Sequence, residues 1–124
     1  MTEDTIVALA TPPGRGGIGI VRLSGPLAYQ IGLKLSQKTQ IAARQIVYTS
    51  FKDDQGESLD KGIMLFFKAP LSLTGEDIVE LQAHGAPVVL DRLVKACLAE
   101  GAKLAKPGEF LQRAFLNNKI DLAQ

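Results

Sequence analysis

Thr74-Gly75-Glu76-Asp77-Ile78-Val79-Glu80-Leu81-Gln82-Ala83-His84 decides the fold, because it reads two ways. Thr74 to Asp77 has the chemistry of a helix capping box, whereas Ile78 to His84 alternates apolar and polar with a period of two. The alternation predicts a strand. Val79, Leu81 and Ala83 then face one side, and Glu80, Gln82 and His84 the other.

Working upstream, Lys61 to Phe67 is a near-continuous apolar run that reads as a buried strand, ended by Ala69-Pro70. Ile46 to Phe51 reads as its partner through the turn chemistry of Asp53-Asp54-Gln55-Gly56, a hairpin expected at the middle of a sheet. Further back, Thr5 to Leu9 and Ile18 to Leu23 are β-branched runs flanking a Gly-rich loop. Pro26 suits the first position of a helix, and Leu27, Ala28, Ile31 and Leu35 recur at helical spacing to about Gln37.

Downstream, Gly85-Ala86-Pro87 opens the clearest helix, with Val89, Leu90, Leu93, Val94, Cys97 and Leu98 on one stripe and Gly101 placed to end it. Lys103 to Ala105 reads as a short strand. A third helix runs from Glu109 to Asn117, pairing Phe110 with Ala114 and Leu111 with Phe115. These elements make an α+β domain with a mixed β-sheet and about three helices.

Composition fits that reading. With 124 residues, 46% hydrophobic and 22% charged, the chain has the size and balance of one globular domain. Fourteen Lys and Arg against thirteen Asp and Glu give a net charge of +1, evenly spread, so nothing suggests a phosphate-binding nucleic-acid module. One Cys and one His supply neither an internal disulfide nor a zinc site. Acidic Glu3 and Asp4 replace the basic start of a signal peptide, and no run approaches the length of a membrane span, so a cytoplasmic location is expected.

Gly14-Arg15-Gly16-Gly17-Ile18-Gly19 matches G-x-G-x-x-G formally, but a strand follows where a dinucleotide site needs a helix, and no acid lies at the ribose position. It reads instead as a structural or ligand-gripping loop. No P-loop occurs, so this stretch does not encode nucleotide hydrolysis. Arg22 interrupts an apolar strand and calls for a carboxylate partner or a polar cleft. Glu80 lies on a solvent face or, with Gln82 and His84, lines a cavity. His84 reads first as a hydrogen-bonded structural histidine and Cys97 as a small buried hydrophobe, and nothing reads as a nucleophile.

Three segments taken together are more specific than any single residue. They are Ala10-Thr11-Pro12-Pro13-Gly14-Arg15-Gly16-Gly17-Ile18-Gly19-Ile20-Val21-Arg22, Leu73-Thr74-Gly75-Glu76-Asp77 continuing to Gly85, and Lys106-Pro107-Gly108-Glu109-Phe110 with Arg113-Ala114-Phe115-Leu116-Asn117-Asn118-Lys119-Ile120-Asp121-Leu122-Ala123-Gln124. In that order and spacing they closely resemble the N-terminal domain of the MnmE (TrmE) family of tRNA-modification GTPases. Leu73, Ala86 and Lys106 depart from the usual pattern, standing where an aromatic, a Gly and an Arg are common.

The resemblance implies a fold like the tetrahydrofolate-binding domain of aminomethyltransferases. It implies residues 1–118 as the N-terminal folate-binding and dimerisation domain and 119–124 as the start of a helical domain, whose remainder and inserted GTPase domain are outside this sequence. It implies 5-formyltetrahydrofolate as ligand, with GTP, potassium and magnesium belonging only to the GTPase domain. The implied partners are a second copy in a homodimer, the FAD-dependent protein MnmG and, through the full complex, tRNA, whose wobble uridine receives a 5-aminomethyl or 5-carboxymethylaminomethyl group.

The family's folate-contacting positions fall on Arg22, Glu80 and Lys119, each with the expected residue type. A carboxylate such as Glu80 accepts two parallel N–H bonds from an aminopyrimidine edge, while Arg22 and Lys119 suit carbonyl or carboxylate oxygens. Spacing does not decide which cation meets which end of the ligand. His84 shares the strand face of Glu80 and is the candidate supporting residue. The family's GTP hydrolysis belongs to the full-length enzyme, with no activity expected of this domain alone. The competing readings are a dimerisation scaffold without folate binding and, less favoured, a self-contained one-carbon transferase.

Overall fold

Five runs rich in apolar, β-branched and aromatic residues and one two-residue strand pair edge to edge, and the segments with 3.6-residue apolar spacing fold across them. A computed structural model describes residues 4–11 and 17–118. In chain order the elements are β1 (Ile6–Leu9), β2 (Ile18–Ser24), α1 (Ala28–Ser36), β3 (Val47–Lys52), β4 (Ser58–Phe67), β5 (Ile78–His84), α2 (Pro87–Ala99), β6 (Lys103–Leu104) and α3 (Glu109–Leu116). The sheet order is β3-β4-β5-β2-β1-β6, antiparallel except where β6 runs parallel to β1. This is the mixed α+β sheet that the pattern called for.

The deciding segment is a strand at the centre of the sheet. Val79, Leu81 and Ala83 are buried, Glu80 and Gln82 half-buried, and His84 exposed. Thr74 caps no helix; its hydroxyl accepts the amide of Glu76 at 3.2 Å in a local turn. Apolar residues of α1 (Ala28, Ile31, Leu35) and α2 (Leu90, Leu93, Ala96, Cys97) join Val7, Val21, Leu23, Met64, Val79 and Leu81 in one core against one face of the sheet. Close approach fixes Gly32 on α1, where a Cβ would lie 2.6 Å from the Met64 side chain and 2.8 Å from that of Val79.

Two local expectations change. The β3–β4 hairpin stands at the end of the sheet, not its middle, with β3 as an edge strand. The apolar run of β4 reports that β4 itself is interior; it carries no information about what flanks β3. Pro26 precedes α1 rather than opening it, because Leu27 is the N-cap and its amide donates to the Thr5 hydroxyl at 2.7 Å. On α3 the Leu111 and Phe115 pair is exposed, and the buried residues are Arg113 and Ala114. α2 begins at Pro87, and Gly101 follows it at φ 112°, as its helix-ending role requires.

Candidate functional site

Antiparallel pairing of β2 with β5 places Arg22 directly opposite Glu80, and side-chain alternation turns both away from the core. The guanidinium grips one carboxylate oxygen with two donors: Arg22 Nε lies 3.0 Å and Nη2 2.7 Å from Glu80 Oε2. The other oxygen, Oε1, accepts from Gln82 Nε2 at 3.3 Å. Arg22 therefore has the carboxylate partner that its place in an apolar strand demanded, and the pair is half-buried, with side chains 26% and 14% exposed.

The ion pair forms one side of a cavity of about 210 Å³ whose other walls are Phe67, Leu73 and Ile78. A charged, planar hydrogen-bonding floor beside apolar and aromatic walls is the makeup of a small-molecule site. Its volume is below the roughly 300–1,000 Å³ of pockets that enclose drug-sized ligands. Lys119, the third expected contact, lies outside the described residues, so two of the three predicted positions are seen together.

His84 does not join this pair. It stands four residues along β5, where its amide donates to Asp60 Oδ2 at 2.8 Å and its Nδ1 lies 2.8 Å from the same oxygen. Burial alone would raise the Asp60 carboxyl, but the His84 amide and ring and the Lys61 amide together hold it below its usual value. Cys97 is buried on the inner stripe of α2, and burial, with Glu100 adding to it, pushes its thiol up to about 12. Among the described residues no group of three or more His, Cys, Asp or Glu is arranged to hold a metal ion, and no helix is long and apolar enough to cross a membrane.

Sequence reasoning passed over a second polar cluster next to the cavity. Arg113 of α3 is only 3% exposed and donates to the Asp4 carbonyl at 2.7 Å, Glu76 Oε1 at 3.0 Å and Glu109 Oε2 at 3.1 Å. Ser24, fully buried at the end of β2, donates to Glu76 Oε1 at 2.7 Å and accepts from the Thr74 hydroxyl at 2.7 Å. The signal available in sequence was Glu109 four residues before Arg113, on the same helix face as Phe110, Ala114 and Asn117.

Against known proteins, the profile described as the GTP-binding protein TrmE N-terminus matches residues 5–119. The chain belongs to the TrmE N-terminal family. Its relatives include the tRNA modification GTPase MnmE of Legionella pneumophila strain Paris, 59% identical over 124 residues that cover all of this chain and 28% of that protein. The protein of the same name from Pseudomonas putida KT2440 is 58% identical over 122 residues, covering 98% and 26%. That from Vibrio vulnificus is 57% identical over 125 residues, covering 100% and 27%. As a TrmE family member the chain thus spans little more than a quarter of the length of the curated relatives it matches.

Proposed function

We propose that this chain is the folate-binding and dimerising domain of a tRNA-modification GTPase. The observation that carries the reading is the Arg22–Glu80 pair at the wall of the cavity in a chain that belongs to the TrmE N-terminal family. The ligand is 5-formyltetrahydrofolate or a related tetrahydrofolate, and the fold is similar to the folate domain of aminomethyltransferases. Glu80 accepts paired N–H groups of the pterin edge, and Arg22 and Lys119 meet its carbonyl or carboxylate oxygens. The cavity's small volume suits one end of a folate, the ring, with the tail running outside it.

The pair also sets the cost of binding. Glu80 Oε2 is already occupied by two donors from Arg22, so the ligand must share that oxygen or turn the guanidinium aside, using the freed fork for one of its own oxygens. Residues 1–118 make up the domain and 119–124 begin a helical one. In the whole protein the domain pairs with a second copy and works with MnmG, so that the folate supplies the one-carbon unit of a 5-carboxymethylaminomethyl group on the wobble uridine of tRNA. GTP, potassium and magnesium act in the GTPase domain, and this domain alone has no activity. The location is cytoplasmic.

The satisfied state of Glu80 favours one alternative, a dimerisation scaffold that binds no folate. Calorimetric titration with 5-formyltetrahydrofolate, at a concentration where light scattering gives the oligomeric state, separates the two. Saturable binding of one ligand per chain supports the folate reading, and a folded dimer giving neither heat nor thermal stabilisation supports the scaffold.

A further inference from the structure

The lining residue of the cavity that lies outside the sheet, Leu73, belongs to the 72–77 connector, which leads into Ile78. This connector has no strand or helix of its own. Inside it, the Ser72 hydroxyl donates to the Glu76 carbonyl and accepts the Gly75 amide at 3.0 Å. At its end by β5 the connector is held by the Gly25 amide, which donates to the Asp77 carbonyl at 3.0 Å, and by the Ala69 amide, which donates to Asp77 Oδ1 at 2.8 Å; its middle, from Thr74 to Glu76, is attached to the rest of the protein by side-chain links. Thr74 and Glu76 bond to Ser24, Glu76 bonds to Arg113, and Asn117 Nδ2 donates to the Thr74 carbonyl at 2.9 Å. Ser24 is two residues from Arg22 and so projects on the same side of β2. One buried guanidinium therefore ties three pieces together: the chain just before β1 through the Asp4 carbonyl, the connector through Glu76, and α3 on which it sits.

Structural ballast does not need this arrangement. A buried arginine is costly unless its fork is satisfied, and Arg113 Nε has no acceptor among the described residues. An apolar side chain at this point of α3 would pack without that cost, but it would leave Glu76, Thr74 and Ser24 without a common anchor. The function of the network that the geometry explains is to hold the connector in one place relative to Arg22 and Glu80.

Resting on the folate reading above, we propose that Arg113 is a positioning residue for the folate cleft. Acting through Glu76 and Ser24, it fixes the connector that carries Leu73 over the Arg22–Glu80 pair, and it touches no ligand itself. The same link ties the cleft to α3, so an occupied cleft stabilises the placement of that helix.

The test uses the full chain and 5-formyltetrahydrofolate, with affinity read by calorimetry at a temperature where circular dichroism shows every variant folded. Arg113→Lys keeps the charge but cannot serve Asp4, Glu76 and Glu109 at once. It should weaken binding about tenfold, the scale on which outer supporting residues act at metal sites. Ser24→Ala, which breaks the link to the connector without burying an unpaired charge, should weaken it several-fold and decides the matter if the lysine variant does not fold. Glu109→Gln removes the charge of a partner of Arg113 that lies off the connector; it should lower the melting temperature and leave affinity unchanged. Amide resonances of residues 72–80 should shift in the first two variants and not in the third. Wild-type affinity in Ser24→Ala and Arg113→Lys overturns the proposal alone, and so does an equal loss in all three, which would mark Arg113 as merely structural. Absence of binding by the wild-type chain overturns the folate reading and this inference with it.

Discussion

Arg22 and Glu80 occupy directly opposed positions on the two central strands, and two guanidinium donors converge on a single carboxylate oxygen. A pair so placed does two things. It settles a charge inside an apolar strand, and it leaves Glu80 Oε1, held only at 3.3 Å by Gln82, as the less occupied of the two carboxylate oxygens.

Glu80→Gln keeps the shape of the site while removing its charge. Because both side chains retain solvent contact, the pair should contribute no more than about 1 kcal/mol to stability, so the melting temperature should move by only a few degrees. Binding of 5-formyltetrahydrofolate should fall by about tenfold or more, since a charge-assisted acceptor is lost. Unchanged affinity by calorimetry would remove Glu80 from the site.

Arg113 differs from Arg22 in burial, and the consequence is energetic. Glu76→Ala leaves that guanidinium without its connector carboxylate at a position only 3% exposed. Removing one partner of a buried pair typically costs about 3–5 kcal/mol, and Glu109 remains to offset part of it, so about 3 kcal/mol is expected. Urea unfolding monitored by circular dichroism measures this, and a loss below about 1 kcal/mol would show that solvent reaches the cluster.

Much of this was legible in the sequence, and the reasons are physical. The period-two run 78–84 identified β5, and the stripe on α2 identified its buried face, because both patterns are set by burial on one side only. The edge position of β3 was not legible, since strand rank depends on pairings remote in sequence. Arg22 announced a carboxylate partner or a polar cleft through its apolar surroundings, and Glu80 stood out on the polar face of its strand, but neither pattern nor resemblance paired the two. Arg113, Glu76 and Ser24 escaped notice because each alone has an ordinary surface explanation; their burial arises from three segments meeting in space.

Gly62 tests how closely β4 packs against β5, the strand that carries Glu80. A Cβ there would lie 1.9 Å from the backbone oxygen of Gln82 on the neighbouring strand, with no flexible side chain to yield. Gly62→Ala must therefore push β4 away from β5 at Gln82, at a cost of about 3 kcal/mol. A urea midpoint equal to that of the wild type would mean that the two strands are not locked at this point.

Asp60 links stability to pH at the far end of β5. Its folded carboxyl binds a proton less readily than the unfolded one, whose usual value is 3.8. The contribution is therefore fully present above that value and is lost as pH falls below it, through the folded value. Asp60→Asn, which cannot ionise, should be less stable than the wild type near neutrality and should lose less on acidification from pH 5 to 3. Parallel acid unfolding curves for the two proteins would show that Asp60 gains nothing from His84.

Cys97 should be chemically silent while the chain is folded. Its side chain is fully buried on the apolar stripe of α2, and its thiol is pushed up to about 12, so almost no thiolate exists near neutral pH. Labelling with a thiol reagent at pH 8 should therefore proceed at the rate at which the domain opens, rising steeply with urea, and ligand binding should slow it. Fast labelling without urea would place Cys97 near a breathing surface, and the packing of α2 on β1 and β2 would have to be looser than the core around Leu90, Leu93 and Ala96 implies.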